Sequence, residues 1–196
     1  MNILVLSPYP DKLLPAFEAT GDTPVVMSKV NVNELSGFLL EPDLVVSYGY
    51  RWILKKPFLE RYRCINLHIS LLPWNRGADP NFWSWYDDTP KGVTIHEIDG
   101  GVDTGPILAQ RRIFWSKTEL DTLASTYDGL QDSITRMFRD RWRKIRNGGL
   151  IGEKQSPQGS TNMRADLARI WTQFPKRWDT PVSEVEEAGR RARDAS

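Results

Sequence analysis

Short apolar runs alternate with longer mixed segments along the first third of the chain. The runs cover residues 3–6, 24–27 and 44–46, and Pro8 and Pro10 follow shortly after the first of them. Such runs, rich in branched residues and closed by turn residues, are typical of strands buried on both faces of a parallel sheet. The mixed segments between them fit helices, so the pattern predicts βαβ units.

Three further strands and one long helix follow. Strands are predicted at residues 64–69, 92–98 and 106–114, and a glycine-rich turn at Gly100-Gly101 joins the last two. Apolar residues then recur at helical spacing, which predicts an amphipathic helix over residues 118–146, ended by Asn147-Gly148-Gly149. The sequence therefore predicts the α/β class, with a Rossmann-like, mostly parallel sheet flanked by helices.

The remaining residues predict a short C-terminal extension. Residues 155–162 form a polar linker, a short helix is predicted around residues 166–171, and residues 186–196 are predicted to be loose and flexible. A chain of 196 residues can bury one substantial core. We therefore expect a main domain over residues 1–150, followed by a linker and helical extension over residues 151–196.

Charge and cysteine content narrow the classes of partner and compartment. The 26 basic residues nearly balance the 25 acidic ones, and a formal net charge of +1 gives no global attraction to nucleic acid. Cys64 is the only cysteine, so no intrachain disulfide can form. No apolar run reaches the roughly 20 residues of a membrane span, and the N-terminus has no basic leader. We expect a cytoplasmic protein that binds neither nucleic acid nor membrane.

The predicted strand at residues 64–69 carries polar side chains at alternate positions. Because successive side chains of a strand point to opposite faces, Asn66, His68 and Ser70 share one face, and isoleucine and leucine occupy the other. Burying an amide or imidazole without a partner costs on the order of 1 to 3 kcal/mol. Ligands of open α/β sheets bind beyond the carboxyl ends of strands, where this row lies. The row therefore indicates a local hydrogen-bond network or a ligand site.

Two loops add candidate binding groups. Residues 71–80 are punctuated by proline and glycine and place Arg76 beside Gly77, as in a binding loop. Residues 99–106 hold Asp103 among glycines, which permit close approach of the backbone to a ligand. Each feature also has a purely structural interpretation: an isolated strand histidine is commonly a satisfied structural residue, and Asp and Gly favour ordinary turns.

Together these segments resemble the folate-dependent formyltransferase family. The resemblance rests on residues 66–73 (Asn-Leu-His-Ile-Ser-Leu-Leu-Pro), on Arg76-Gly77 followed by Pro80 and Trp83, and on residues 92–96 leading into residues 101–108. A looser match over residues 42–49 extends it to roughly residues 1 to 145. The resemblance implies that the domain over residues 1–150 is catalytic and that Asn66, His68 and Asp103 are its catalytic residues.

The chemistry that the resemblance implies fits these residue types. Formyl transfer from 10-formyltetrahydrofolate to an amine passes through a tetrahedral oxyanion, which needs hydrogen-bond donors and a group that moves protons. Asn66 and protonated His68 are suitable donors. A carboxylate at Asp103 favours the charged imidazole and fixes its orientation. Neither a metal nor a covalent intermediate is required.

The resemblance also implies a folate pocket and an acceptor site. The pocket is assigned to two loops, with aromatic or aliphatic walls for the pterin ring at Tyr50, Trp52 and Ile53 and close contacts at Gly100, Gly101 and Val102. For the three wall residues, simple packing of a helix after the third strand is the alternative. Ser70, Arg76 and Gly77 are assigned to the amine substrate.

Within the family, elimination favours the sugar N-formyltransferases. We expect no tRNA-type C-terminal domain and no N-terminal regulatory domain of the formyl-folate hydrolase type. In place of the glycine-rich phosphate loop of the purine-pathway branch, this chain has Ser7-Pro8-Tyr9-Pro10, and proline has no N–H to give a phosphate. The expected acceptor is a nucleoside-diphosphate-linked 4-amino-4,6-dideoxy sugar of lipopolysaccharide O-antigen biosynthesis. Another small amine such as glycinamide ribonucleotide, and hydrolysis of the formyl-folate, stay open, and no motif selects the nucleotide.

Hypotheses from other classes use some of the same residues. A metal-dependent hydrolase would take its ligands from His68, His96 and Asp103, with Cys64 as an optional fourth, but the helical His-Glu-x-x-His spacing is missing. His96 is interpreted as structural or as lining the edge of the site. A binding module that has lost turnover is a third class, which the presence of all three catalytic residue types disfavours.

Tryptophans suggest a possible homodimer. Several of the eight lie in the second half of the chain, at positions 115, 142, 171 and 178. Aromatic side chains are enriched in buried interfaces, so a dimer through this half is a hypothesis. The alternative is that these rings cover the sheet.

Overall fold

The computed structural model describes residues 1–39, 41–116 and 121–195. The strands in these ranges are β1 (Ile3–Leu6), β2 (Val25–Met27), β3 (Leu44–Tyr48), β4 (Cys64–His68), β5 (Arg76–Gly77), β6 (Gly92–Glu97), β7 (Ile107–Arg112) and β8 (Thr161–Asn162). The α-helices are α1 (Leu14–Glu18), α2 (Lys56–Arg61), α3 (Pro80–Tyr86), α4 (Leu123–Arg146), α5 (Arg164–Ile170) and α6 (Val182–Asp194). None of the helices described is both long and apolar enough to cross a membrane.

Six of the strands form one mixed sheet in the order β2-β1-β3-β4-β6-β7. Neighbours from β2 to β4 are parallel, and β6 pairs antiparallel with β4. β5 and β8 form a separate, two-stranded parallel ladder. The predicted α/β class, with a mostly parallel sheet flanked by helices, is confirmed.

The chain packs as two compact units, each assembled from three segments. The first comprises residues 1–68, 94–109 and 134–155, and the second comprises residues 69–93, 110–133 and 156–196. These units are defined by how the chain packs, and their segments alternate along the sequence. The predicted division at residue 150 is of a different kind, because it separates a catalytic domain from a C-terminal extension. That functional division stays a prediction.

The first unit is built on the buried strands of the sheet. β1 and β3 are buried along their whole length. Leu4, Val45 and Cys64, one from each of β1, β3 and β4, pack in a cluster with Leu54 and Phe58 of the segment that follows β3. Full burial of an aliphatic or aromatic side chain contributes about 1.5–3 kcal/mol. This cluster fixes the three neighbouring strands whose carboxyl ends lead into the candidate site.

The C-terminal half of α4 covers the first unit with aromatic side chains. Phe17 of α1 packs edge-on against Phe138 and Trp142, with ring centroids 5.8 and 4.8 Å away. Trp142 is 1% exposed, and its indole N–H donates to Asp22 Oδ2 at 3.2 Å. The Arg146 side chain donates to both Asp22 oxygens at 2.8 and 3.0 Å, and this hydrogen bond holds the pKa of that carboxyl below its usual range.

Both ends of α4 have a local cause. The hydroxyl of Thr122 accepts a hydrogen bond from the Ser125 amide at 3.2 Å, which caps the helix at its N-terminus. At the other end Gly148 has φ 67°, and its amide and that of Gly149 donate to the last turn of the helix. The predicted end is therefore correct, but the helix begins at Leu123, and residues 118–120 of the predicted range lie outside the described residues.

The second unit has an aromatic core. Phe82, Trp83 and Trp85 of α3 are buried in one cluster with Leu167 of α5 and Val185 of α6. Trp83 and Trp85 are thus core residues. The core joins α3, α5 and α6.

The prediction that residues 186–196 are loose was wrong for residues 186–194, because α6 continues to Asp194. Val182, Val185 and Gly189 are buried along one face of α6. At Gly189, α6 approaches α3 so closely that a Cβ atom would lie 1.8 Å from the carbonyl oxygen of Tyr86 in α3. Arg193 also donates a short hydrogen bond to that oxygen. The segment is rich in charged residues, so its few buried positions at helical spacing were not recognised as a packing face.

Candidate active site

The polar face of β4 continues across the neighbouring strands. Asn66 is paired with Ser47 on parallel β3 and with His96 on antiparallel β6, and His68 is paired with Thr94. Paired residues of adjacent strands project to the same face of a sheet. Two polar positions of β6 therefore join Asn66 and His68 on one face.

Asp103 meets this face from the loop between β6 and β7. Its Oδ1 lies 3.2 Å from Asn66 Nδ2 and 3.3 Å from His96 Nε2, and its Oδ2 lies 3.7 Å from His68 Nδ1. We call Asn66, His68, His96 and Asp103 the polar cluster. The structure thus brings the three predicted catalytic residues together, although the His68 contact is longer than a hydrogen bond.

The polar cluster is largely withdrawn from solvent. His96 is 1% exposed and His68 is 7% exposed, and 16% of the Asp103 side chain is accessible. Electrostatic interactions are stronger in such surroundings than in water. A small shift of the Asp103 carboxylate will therefore change its electrostatic interaction with the neighbouring imidazoles strongly.

Backbone contacts hold Asp103 where it meets the strands. Its φ is 50°, in the left-handed region that Asp adopts more readily than most residues. The Gln155 side chain donates to the carbonyl oxygens of Asp103 and Gly105, both at 2.8 Å. At Gly105 a Cβ atom would lie 1.8 Å from the carbonyl oxygen of Glu97. The loop position thus depends on a glycine at 105 and on Gln155, which had been assigned only to a linker.

The beginning of the same loop is tied to Asp99. Its Oδ1 accepts hydrogen bonds from the Gly101 amide at 3.0 Å and from the Thr104 hydroxyl at 2.6 Å. Gly100 and Gly101 are exposed, and Val102 is half-buried. These three residues, which the resemblance assigns to folate, therefore form a fixed turn with an accessible backbone.

The other predicted folate residues lie in a loop after β3 rather than in a helix. The Tyr50 hydroxyl donates to Val30 O at 2.6 Å and accepts from the Val32 amide at 3.1 Å, and burial raises the pKa of this phenol. The Trp52 ring packs 5.1 Å from the Tyr50 ring, whereas Ile53 is 67% exposed. Tyr50 is thus anchored, and Ile53 presents an apolar surface outward.

The predicted acceptor residues belong to the second unit. The buried Ser70 donates its hydroxyl hydrogen to Trp74 O at 2.8 Å. Arg76 and Gly77 form β5, and a Cβ atom on Gly77, where φ is 87°, would lie 2.3 Å from Asn162 O on β8. Backbone pairing of β5 with β8 holds this loop in place. A role for these residues in binding stays a prediction.

The metal hypothesis offered Cys64 as an optional ligand in addition to His68, His96 and Asp103. The Cys64 thiol instead donates to Tyr62 O at 3.3 Å within the apolar cluster, and burial raises its pKa to about 12. Across the ranges that the structure describes, no three His, Cys, Asp or Glu side chains form a group able to hold a metal ion. The polar cluster by itself offers two imidazoles, a carboxylate and an amide, a set suited to donating hydrogen bonds and moving protons.

The sequence and its relatives agree with this chemistry. Residues 16–137 match the model of the formyl transferase family. The dTDP-4-amino-4,6-dideoxyglucose formyltransferase of Mycobacterium tuberculosis (strain ATCC 25618 / H37Rv) is 32% identical over 128 residues, or 65% of this chain and 54% of that protein. A methionyl-tRNA formyltransferase of Legionella pneumophila (strain Paris) is 44% identical over 149 residues, or 72% of this chain and 46% of that protein. The chain thus spans about half the length of the curated relatives it matches.

Solved structures extend the similarity over nearly the whole chain. The formyltransferase PseJ from Anoxybacillus kamchatkensis is 39% identical with a TM-score of 0.87, and the match covers 96% of this chain and 100% of that one. That crystal structure contains UDP-4,6-dideoxy-4-formamido-L-AltNAc and tetrahydrofolate. A sugar N-formyltransferase from Shewanella sp FDAARGOS_354 has a TM-score of 0.78 at 22% identity, covering 87% of this chain and 79% of that one, which shows the shared fold alone.

Proposed function

Because this chain belongs to the formyl transferase family, we propose that it transfers a formyl group from 10-formyltetrahydrofolate to the amine of a nucleotide-linked 4-amino-4,6-dideoxy sugar. The observation that carries the proposal is the polar cluster, in which Asp103 contacts both Asn66 and His68. The family model extends over all of these residues.

The residues of the polar cluster have distinct roles in the proposed reaction. The amine nitrogen attacks the formyl carbon, and the bond from that carbon to folate N10 then breaks. The amine loses one proton while N10 gains one, and His68 is placed to move it. Asn66 and His68 donate to the oxyanion of the tetrahedral stage, and Asp103 orients His68.

The two loops beside the polar cluster form the proposed folate pocket. Tyr50, Trp52 and Ile53 would supply aromatic and aliphatic surface for the pterin ring. The accessible backbone of Gly100, Gly101 and Val102 would contact its polar edge, which glycine permits. The anchored hydroxyl of Tyr50 supports this, because it holds the end of the side chain in place before folate binds.

Acceptor binding is assigned to the loop after β4. A guanidinium is the side chain best suited to a diphosphate, so Arg76 is the proposed contact for the nucleotide, with Ser70 and Gly77 shaping its loop. The name of the Mycobacterium relative and the sugar bound to PseJ both specify a pyrimidine nucleoside diphosphate and a 4,6-dideoxy sugar that carries a nitrogen on carbon 4. We therefore favour a UDP- or dTDP-linked acceptor.

Two further elements of the proposal concern context. A lone, buried Cys64 fits a reducing compartment, and we place the reaction in the cytoplasm, where it would supply lipopolysaccharide O-antigen biosynthesis. The homodimer hypothesis rests on Trp178, which is 42% exposed, and no longer on Trp142, which lies in the core. Light scattering at working concentration tests this, because a monomer mass would exclude the dimer.

The direct test is a turnover assay with several amines. Purified protein is incubated with 10-formyltetrahydrofolate and UDP- or dTDP-linked 4-amino-4,6-dideoxy sugars, and with glycinamide ribonucleotide as the competing acceptor. A mass gain of one formyl group on a nucleotide sugar, matched by tetrahydrofolate release, is expected. Formylation of the ribonucleotide alone, or folate release without a formylated amine, contradicts the proposal.

A binding measurement separates the folate hypothesis from the metal one. A ligand that binds only the folded state raises the melting temperature, by an amount that grows with the logarithm of its concentration relative to its Kd. 5-Formyltetrahydrofolate should therefore stabilise the protein. Stabilisation by zinc and not by the folate would favour the metal-dependent hydrolase.

A further inference from the structure

The second histidine of the chain lies against the same carboxylate as the first. His96 is 1% exposed, and both of its ring nitrogens face polar atoms. Nδ1 is 2.7 Å from the backbone oxygen of Glu97, and Nε2 is 3.3 Å from Asp103 Oδ1 and 3.4 Å from Asn66 Nδ2. The interpretation of His96 as a residue at the edge of the site does not account for these contacts.

The hydrogen positions follow from the chemistry of the partners. A carbonyl oxygen only accepts, so His96 Nδ1 carries a hydrogen that it donates to Glu97 O. If Nε2 carried none, its lone pair would face a carboxylate oxygen at 3.3 Å. One proton shared between Nε2 and Asp103 Oδ1 removes that repulsion and makes a charge-assisted contact.

This proton also determines what Asn66 can do. An amide NH₂ has two hydrogens, and one of those on Asn66 is donated to Asp103 Oδ1 at 3.2 Å. Because His96 Nε2 no longer needs a donor, the second hydrogen remains for the oxyanion of the reaction. The two oxygens of Asp103 then differ: Oδ1 is held by His96 and Asn66, and Oδ2 faces His68 at 3.7 Å.

We propose that His96 is a positioning residue for formyl transfer, anchoring Asp103 through Oδ1 so that Oδ2 orients His68. The inference rests on the proposed function for its kinetic consequences, but the anchor itself is a property of the unliganded protein. The shorter contact belongs to His96, so the carboxylate is fixed from β6 and in turn fixes the imidazole on β4. The rings of His68 and His96 stand perpendicular with centroids 6.2 Å apart, which leaves the carboxylate accessible to both.

Two substitutions at His96 distinguish an anchor from a merely buried side chain. His96→Gln keeps a nitrogen donor near the position of Nε2, whereas His96→Leu fills much of the volume without any donor. We expect His96→Gln to retain kcat within about tenfold of the native protein. His96→Leu should lose about a hundredfold in kcat, the scale expected when a catalytic group shifts by about 1 Å, with KM for folate and amine changed less than about threefold.

Glu97→Gln is the matched control, because Glu97 lies next to His96 and its carboxylate pairs with Arg63 at 3.5 Å. It should leave kcat within about twofold of the native value, since the backbone oxygen that His96 uses is retained. Equal losses in the Gln and Leu variants of His96, or losses that track their melting temperatures, would overturn the proposal.

Nitrogen NMR tests the anchor without turnover. The chain has two histidines, so the ring resonances can be assigned with His68→Gln and His96→Gln. A bare imidazole nitrogen resonates far from a protonated one, and His96 should show a hydrogen on Nδ1 and a shared proton at Nε2. A bare Nδ1, or an Nε2 signal that Asp103→Asn leaves unchanged, refutes the anchor. A native protein without turnover refutes the proposed function, and the spectrum then still decides the His96 assignment.

Discussion

Replacing Gly105 with alanine should disable the site through the backbone. The new Cβ atom would lie 1.8 Å from Glu97 O, 2.7 Å from Glu97 C and 3.4 Å from the Asp99 amide, all of them backbone atoms. Reaching an ordinary contact of about 3.5 Å requires the loop to move by about 1.5 Å. The hydrogen bonds from Gln155 to Asp103 O and Gly105 O, each 2.8 Å, cannot both survive that movement.

The magnitude follows from those contacts. Losing two hydrogen bonds and leaving two carbonyl oxygens without a donor should lower the free energy of unfolding by about 2–4 kcal/mol. That corresponds to a fall in melting temperature of about 10 °C. Asp103, two residues earlier, would shift by an ångström or more, so kcat should fall about a hundredfold. The perturbation thus reaches the chemistry without altering any side chain of the polar cluster.

The assay is steady-state release of tetrahydrofolate together with a thermal melt. Gly37→Ala is the matched control, because the nearest atom to its Cβ is Glu41 Oε1 at 4.0 Å and its φ is not in the left-handed region. That control should keep kcat within about twofold of the native value and melt within about 2 °C of it. A Gly105→Ala protein with native kcat and melting temperature would refute the structural reasoning about this loop.

Three further predictions concern single side chains. Asn66→Ala and His68→Ala should each lower turnover at least about a hundredfold in steady-state assays, since each removes an oxyanion donor, and near-normal turnover would contradict their assignment. The Arg146 hydrogen bond lowers the pKa of Asp22 in the folded state, so its stabilisation is present above the ordinary pKa of about 3.9 and is lost as pH falls through the lower folded value. Denaturant unfolding should therefore show Asp22→Asn to be less stable than the native protein at pH 7 but not at a pH below the folded pKa of Asp22. An equal loss of unfolding free energy at both pH values would count against the ion pair. Burial raises the pKa of Cys64 to about 12, so 5,5′-dithiobis(2-nitrobenzoate) should label the native thiol at least about a hundredfold more slowly than the unfolded one, and immediate labelling would refute its burial.

The sheet could be predicted because its strands are strongly patterned. The apolar runs at β1 and β3 have no polar interruption, and the alternation in β4 by itself places Asn66 and His68 on one face. The end of α4 followed from Gly148 and Gly149. The local pattern is thus sufficient to predict these elements, although tertiary packing stabilises them.

The missed elements depend on contacts with distant parts of the chain. α6 is rich in charge, and its burial against α3 rests on the absence of a side chain at Gly189, which gives no distinctive pattern. Gln155 belongs to a polar segment, and nothing nearby indicates that it holds the Asp103 loop. Such roles become visible only when segments far apart in sequence are brought together.

In the polar cluster, too, contacts within one strand could be predicted, whereas contacts between strands could not. Asn66 and His68 share a strand, so their proximity was predictable. The approach of His96 depends on antiparallel pairing of β4 with β6 in the register that sets Asn66 opposite His96. A shift of one residue would turn His96 to the other face. Register between strands separated by a long connection cannot be derived from alternation alone, so the contact of His96 with Asp103 was not predicted.

The most direct test of direct transfer by the polar cluster is a rapid-quench single turnover. Protein in excess is mixed with formyl-labelled 10-formyltetrahydrofolate and a UDP-linked 4-amino-4,6-dideoxy sugar, and the label is followed in folate, sugar, formate and protein. Label should pass from folate to the sugar in step with tetrahydrofolate release, with none on the protein. Label that accumulates on the protein, or that leaves as formate while the sugar stays unmodified, would contradict the account.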